Sequence, residues 1–579
     1  MLELPQTSVP NRFVSRLRSP RAATGRSVSW MLALAAALVP ALCAAPAHAA
    51  LSLPQDFVVQ ALPWNFDNPT CMAFLPDGRM LVGEKGGIVY VVAGAQRHSL
   101  WVNEDEVLNT GDRGLVGIAV DPRFTTNRYL YFLYSVDPDS NGVEFDHYDD
   151  CFARLTRYRL SATNPDTVEA ASRTVLIGVD WAHGFPNGSE SHAIGALVWG
   201  RDGSLLLAAG DGAQFDYMDA GGNDPGLFGP GLTNPAQDVG AFRSQQLSGP
   251  DGKILRVDPA TGLALPSNPF YDGDVTSDRS RVFAYGLRNP FRFAVRPGTG
   301  STQLTAGNPG TLYIGDVGWY RFEELEVARS AGLNFGWPCY EGFDAQPDYQ
   351  AASPASSGCA TIGTPANPSP ARAPLLAFHH DDPVLSTPSG VTGSCVVAGA
   401  FYPGNGYPSI FKGRFFMADY VEGWIRTLLT DGNDALLSLD DFGYGANGPV
   451  AFVPDPGNGD LWFAERWSGL IQRIRYIGTA AVLPPPAIPF SLSEPWPNPS
   501  RGRVRFTLTM PREGDGRFAV FDAAGRQVWD AGVRHLPAGS SAIDWDGTTS
   551  RGVEAGPGLY FARVTSASAT TVRRFAVVR

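Results

Sequence analysis

Apolar and polar residues alternate along much of this chain in short runs broken by turns, and one phrase of that alternation recurs six times. Each copy is an apolar run of period two, a turn built on Pro, Gly, Asn or Asp, and a second apolar run. The first three are Met72 to Val82, Val116 through Asp121-Pro122 to Leu133, and Ala196 to Ala208. The others are Phe293 through Arg296-Pro297-Gly298 to Ile314, Ala400 to Pro403 followed by Arg414 to Met417, and Val450 to Phe463. Period two around a tight turn predicts a half-buried β-hairpin. Six hairpins repeated over a long stretch predict an all-β fold, a six-bladed β-propeller over residues 50–477. A solenoid or a sandwich would show a steadier period. The uneven spacing places large insertions in loops on one face.

Residues 478–494 contain Leu483-Pro484-Pro485-Pro486 and read as a stiff, extended linker. Alternation returns in Val504 to Thr509, Arg517 to Asp522 and Leu559 to Thr565, so residues 495–579 read as a small immunoglobulin-like β-sandwich. At the other end, five Arg between Arg12 and Arg26 precede the apolar run Trp30 to Ala45 and then Ala47-His48-Ala49. That is the pattern of a secretory signal peptide over residues 1–49, which predicts a secreted or cell-surface protein. No later run is long and apolar enough to suggest a membrane span.

Loss of residues 1–49 takes Lys+Arg from 45 to 40 and Asp+Glu from 57 to 56, so a formal charge of −12 becomes −16. Such an acidic chain has no electrostatic case for nucleic acid, whereas small neutral ligands and divalent cations suit it. Cys71, Cys151, Cys339, Cys359 and Cys395 remain. Cys339 and Cys359 bracket a Pro/Ser/Gly-rich loop and are the first candidate disulfide, Cys71 and Cys151 the second. An odd count leaves one thiol over.

Three places could carry chemistry. His192 lies directly before the third repeat, where a propeller strand emerges at the channel mouth. It reads either as a structural histidine or as a general base. Arg288-Asn289 precedes the fourth repeat and offers a rigid donor fork beside an amide, for a loop network or for a carboxylate or quinone oxygen. Asp316-Val317-Gly318 followed by Glu323-Glu324 crowds three carboxylates around a flexible backbone, which suits calcium or a solvated acidic turn. The insertion Asp137 to Gly142, with Asp149 and Asp150, resembles the first half of a calcium loop. Tyr148 at its twelfth position argues against an EF-hand.

Dispersed motifs then follow one another in a known order. They are Gly111-Asp112-Arg113-Gly114-Leu115 with Asp121-Pro122, His192 with Gly210-Asp211-Gly212, Gly252 to Arg256, and Asn268-Pro269-Phe270. Tyr285 to Pro290, Glu323-Glu324 and Asn334-Phe335-Gly336-Trp337-Pro338 complete them. The order resembles the soluble PQQ-dependent glucose/sorbosone dehydrogenases, six-bladed propellers that include the hedgehog-interacting-protein type.

The resemblance implies pyrroloquinoline quinone (PQQ) over the channel, a sugar as substrate, and His192 as the base for its C1 hydroxyl. It implies Arg288, Asn289 and Arg113 as cofactor contacts. One calcium would sit on the backbone carbonyls of Gly318 and Trp319, and a second, structural one near Glu324, Phe335 and Glu341. The chain departs from the enzyme pattern in places. Ala418 to Trp424 has no Lys where the enzymes bind a PQQ carboxylate, Ala446 to Pro449 has no Arg, and Arg113 stands where they tend to have Gln. Two functions therefore stand side by side: a PQQ- and calcium-dependent dehydrogenase of aldoses or related alcohols, and a non-catalytic, calcium-stabilised propeller that binds a glycan or protein.

In the C-terminal region, Pro497-Asn498-Pro499, Val520-Phe521-Asp522, Trp545-Asp546-Gly547 and Gly558-Leu559-Tyr560 resemble the FlgD-type immunoglobulin-like domain of secreted bacterial proteins. That resemblance implies attachment at the cell surface or a passive spacer.

Overall fold

A computed structural model describes residues 51–138, 150–222, 227–228, 233–355, 358–404, 406–478 and 490–578, apart from 494, 496, 538 and 567–569. The signal-type segment and most of the Asp137 to Asp150 insertion lie outside the described residues.

The six repeats are the two innermost strands of six antiparallel sheets. Blade 1 is Pro69–Phe74, Met80–Glu84, Ile88–Ala93 and Gln96–Val102. Blade 2 begins with Leu115–Val120, Tyr129–Val136 and Cys151–Leu160, and Val168–Ile177 and Phe185–Asn187 both pair with its third strand. Blade 3 is Ile194–Trp199, Leu205–Ala209, Lys253–Val257 and Val282–Tyr285; blade 4 is Arg292–Val295, Leu312–Asp316, Phe322–Ala328 and Leu376–His379. Blade 5 is Val396–Phe401, Phe415–Asp419, Trp424–Thr430 and Leu436–Tyr444. Blade 6 is Pro449–Pro454, Leu461–Glu465 and Leu470–Tyr476, and its outer strand is Phe57–Asn65 from the other end of the propeller sequence. That pairing closes the ring by joining the two ends of the propeller sequence in one blade.

The hairpins were expected to bury one face, but the inner strands bury both. Leu205–Ala209 is buried at every residue. Leu205 and Leu207 pack with blade 2 residues such as Leu133 and Leu155, while Leu206 and Ala208 pack with Phe293 and Ile314 of blade 4. Alternate side chains point to opposite faces of a strand, and in a propeller each face meets a neighbouring blade. Six such inter-blade cores follow the ring, the last joining Met72 and Val82 of blade 1 to Val450 and Ile471 of blade 6.

The long insertion between the third and fourth strands of blade 4 returns to blade 3, where Leu333–Asn334 adds in parallel to Val282–Tyr285. It carries Trp337, Glu341 and the Cys339–Cys359 disulfide. The second candidate pair does not form, because Cys71 and Cys151 are both free and buried. Each sits among its own blade's neighbours: Thr70 donates to Cys71 Sγ, and Cys151 Sγ lies 3.6 Å from Asn187 Oδ1.

The C-terminal region is a sandwich of two sheets. Ser491–Leu492, Val504–Met510 and Gly539–Trp545 face Gln527–Leu536, Gly514–Asp522, Gly558–Ser566 and Thr570–Val577 around Phe506, Trp545 and Phe575. Its first strand falls inside the expected linker, because Leu492 is buried in that core.

Candidate functional site

Within each blade the start of the inner strand meets the end of the second strand, and these junctions share one face of the ring. In blade 3 the pairing of Ile194 with Ala209 brings His192 opposite Asp211. His192 Nδ1 lies 2.8 Å from Asp211 Oδ1, with both side chains buried. The backbone of His192 is left-handed, with φ 52°. A Cβ on Gly210 would lie 2.2 Å from the His192 carbonyl oxygen, so only glycine fits there.

Asp211 also accepts from Ala213 N and, at 2.8 Å, from Trp337 Nε1. Burial and then the Arg288 charge hold the His192 pKa below its ordinary value, against Asp211 and Asp112. Burial alone would raise Asp211; the His192 interaction and Arg288 outweigh it and hold that carboxyl low. The carboxylate at Nδ1 puts the ring proton of the neutral tautomer on Nδ1, and among the described residues nothing bonds Nε2, which is then able to accept a proton. A left-handed histidine on a buried carboxylate is strain of the kind found where a side chain must be aimed.

Arg288 and Asn289 lie where blade 4 begins. Asp316, at the end of that blade's second strand, accepts from Arg288 N at 2.9 Å and Asn289 N at 2.7 Å. Burial pushes the Asp316 carboxyl up to about 7 even with these amides in place. The Arg288 carbonyl accepts from Asp211 N at 2.7 Å, which ties the two junctions together. Its guanidinium donates to the carbonyls of Val317 and Gly318 and stands over the Trp337 ring, 5.5 Å from the centroid.

The turn after Asp316 is built around one carboxylate. Glu341 Oε1 accepts from the consecutive amides of Trp319, Tyr320, Arg321 and Phe322 at 2.8–3.2 Å. In a trans peptide the carbonyl points opposite to the N–H it is bonded with. The Gly318 and Trp319 carbonyls therefore face away from Glu341. The Gly318 carbonyl accepts from the Arg288 guanidinium, so a calcium ion on this turn would share that oxygen with a cation.

Behind the turn, Glu324 and Glu326 share one face of the third strand of blade 4, and Glu324 pairs with Asp316. Both are buried. Burial, and then neighbouring carboxylates, push both well above the ordinary value. Among the described residues both oxygens of Glu326 and Oε2 of Glu341 are buried without an amide or hydroxyl donor, Glu326 having only the Glu324 carboxyl beside it, and Glu324 accepts from Gly342 N beside Glu341. Orphaned buried carboxylate oxygens fit a hard cation. Phe335, the remaining residue of the implied set, is buried and donates its amide to Tyr285 O. Among the described residues no three His, Cys, Asp or Glu side chains converge in ligand geometry, so an ion here would also take backbone carbonyls or water.

The structure brings His192, Arg288 and Asn289 together with the 318–319 turn. Arg113 sits at the start of blade 2 with no exposed surface, its guanidinium on Asn187 Oδ1 at 2.7 Å and on the Asn187 carbonyl. Arg256 of the Gly252 to Arg256 motif forms a fully buried pair with Asp202, 2.7 Å apart, far along blade 3. A cavity of about 480 Å³ lies beside Gln245, Arg279 and Asn367, and His192 does not line it. The bond network, more than that hollow, marks the site.

Sequence reasoning missed a device repeated around the ring, in which a carboxylate at the end of a second strand binds the amides of the adjacent junction. Glu84 takes Asp67 N, Asp316 takes Arg288 N and Asn289 N, and Glu465 takes Asn447 N. Asp419 takes four amides, those of Ser394, Cys395, Val421 and Glu422. Blade 3 differs, since Asp211 takes the His192 ring instead. The signal was present as a small residue before an acid in Gly83-Glu84, Gly210-Asp211, Gly315-Asp316, Ala418-Asp419 and Ala464-Glu465.

The chain belongs to the Glucose / Sorbosone dehydrogenase family, which it matches over residues 66–464. It is 26% identical over 320 residues to quinoprotein glucose dehydrogenase B of Acinetobacter calcoaceticus, covering 53% of this chain and 58% of that one. It is also 26% identical over 254 residues to Hedgehog-interacting protein of Mus musculus, covering 41% of this chain and 31% of that one. A solved structure described as a glucose dehydrogenase shares the fold, with 20% identity and a TM-score of 0.50 over 73% of this chain and all of its own.

Proposed function

We propose that this protein is a secreted oxidoreductase that oxidises an aldose or related alcohol, with PQQ and calcium. The observation that carries this reading is the buried His192–Asp211 pair, with the carboxylate on Nδ1, in a mouth that also holds Arg288. His192 would take the proton of the sugar's C1 hydroxyl, and Asp211 would stabilise the imidazolium that forms. Arg288 and Asn289 would hold the cofactor's carboxylates, and the Gly318 and Trp319 carbonyls a calcium ion. Bound in that way, the quinone supplies a two-electron acceptor and the calcium a Lewis acid that polarises it. A second calcium would neutralise Glu324, Glu326 and Glu341. The kinship with quinoprotein glucose dehydrogenase B supports the reading.

A second reading rests on specific residues. Arg113 is sealed inside blade 2, Asp419 to Trp424 holds no Lys, and Tyr320 and Trp467 are exposed in turns at the mouth. A calcium-stabilised propeller that binds a glycan or protein would use such a rim, and the similarity to Hedgehog-interacting protein supports it. In either case the C-terminal sandwich would attach the protein at the cell surface or space it from there.

The test is sugar-dependent dye reduction by the purified chain with PQQ and calcium, beside His192→Asn. Asn tolerates the left-handed backbone that Ala would strain. Loss of a general base should cut the rate about 100- to 10,000-fold with PQQ affinity and Tm nearly unchanged. Full activity in His192→Asn would defeat the mechanism. Absence of a bound-quinone spectrum in the parent protein would favour the second reading.

A further inference from the structure

Asp211 has two carboxylate oxygens, and the structure divides them. Oδ1 faces the His192 ring and Ala213 N, while Oδ2 accepts from Trp337 Nε1 at 2.8 Å. Asp211 has no exposed surface, so water has no access to replace a lost donor. The terminal torsion of an Asp side chain is broad and roughly two-fold, so a donor on one oxygen sets which oxygen faces the imidazole. A face of the same indole lies under the Arg288 guanidinium. Trp337 is itself held by Tyr349 and Trp319, with ring centroids 5.2 and 6.2 Å away, beside the Cys339–Cys359 disulfide. It comes from the blade 4 insertion, 126 residues from Asp211.

We propose that Trp337 is a positioning residue that orients both the base and the neighbouring cation: its N–H holds Asp211 so that Oδ1 keeps the His192 proton on Nδ1, and its ring seats Arg288. This rests on the dehydrogenase reading for its functional meaning, but the hydrogen bond is testable without it. Trp337→Phe keeps a ring for Arg288 and removes the N–H; Trp337→Leu removes both.

The experiment reads the His192 tautomer by 15N NMR in the purified chain without quinone, and then kcat, KM and PQQ affinity with quinone and calcium. Trp337→Phe should move His192 from one tautomer to a mixture. It should lower kcat about 10- to 100-fold, the range seen when an outer partner that orients a metal-bound histidine is removed, with PQQ affinity changed less than about two-fold. Trp337→Leu should weaken PQQ binding as well. Unchanged His192 15N shifts in Trp337→Phe overturn the proposal. If that variant does not fold, the Trp337 indole N–H resonance in Asp211→Asn reads the same bond from its other end, and an unmoved resonance overturns it equally. A parent protein with no sugar oxidation but with the tautomer shift in Trp337→Phe sinks the dehydrogenase reading and supports the positioning role.

Discussion

Gly318 has almost no room: a Cβ there would stand 1.6 Å from the Phe322 carbonyl oxygen. Gly318→Ala must therefore open the turn that Glu341 closes. The expected outcome is a loss of about 1–3 kcal/mol of stability, read by denaturant titration, together with a weaker calcium effect. Arg288→Ala acts differently, because it removes a charged donor fork. It should weaken PQQ binding by about 1.5–3 kcal/mol, read by titration of the quinone spectrum, before it alters the rate with bound cofactor. Unchanged affinity would remove Arg288 from the cofactor site. His192, Arg288 and Asn289 were legible in sequence because each stands directly before a repeat. The donor on Asp211 was not, since no local pattern joins Trp337 to a residue 126 positions away.

At the scale of elements, the third strand of blade 4 buries Glu324 and Glu326 on one face with too few donors. Both titrate well above the ordinary value of 4.5, so between that value and the raised ones the native state binds more protons than the unfolded chain. The stability they contribute is full below about pH 4.5 and is lost as pH rises. His192, held low, acts in the opposite sense as pH falls below about 6.5. A comparison of mutant with parent isolates the strand. In chelator, the Tm of the parent should fall from pH 5 to pH 9 more steeply than that of Glu326→Gln, and calcium should restore the parent more than the mutant. Parallel curves would mean that Glu326 carries no such burden. The insertion beside this strand is clamped by Cys339–Cys359, a 20-residue separation. Replacing both cysteines by Ala should cost about 3 kcal/mol on loop entropy, seen as a lower denaturant midpoint. The Pro/Ser/Gly-rich loop between the two cysteines made that pair readable. Cys71 and Cys151 carried no such cue, and the fold buries them apart.

Across the whole molecule, the ring holds the crowded carboxylates while the C-terminal sandwich has a core of its own. Calcium should therefore act on one part of a two-part molecule. In calorimetry of the full chain, chelator should lower the transition of the propeller and leave that of the sandwich in place; a thermogram unchanged by chelator would remove the ion from the stability argument.

The sequence by itself determined the all-β class, the number of blades and the junction residues His192, Arg288 and Asn289. Period-two alternation and strand ends are local properties, and each blade writes them out in its own residues. Only the tertiary structure decided that Phe57–Asn65 closes blade 6, that both faces of each inner strand are buried, and that the blade 4 insertion delivers Trp337 and Glu341 to the mouth. Those are pairings between distant segments, selected by the burial of donors and acceptors that no single stretch of chain can satisfy alone.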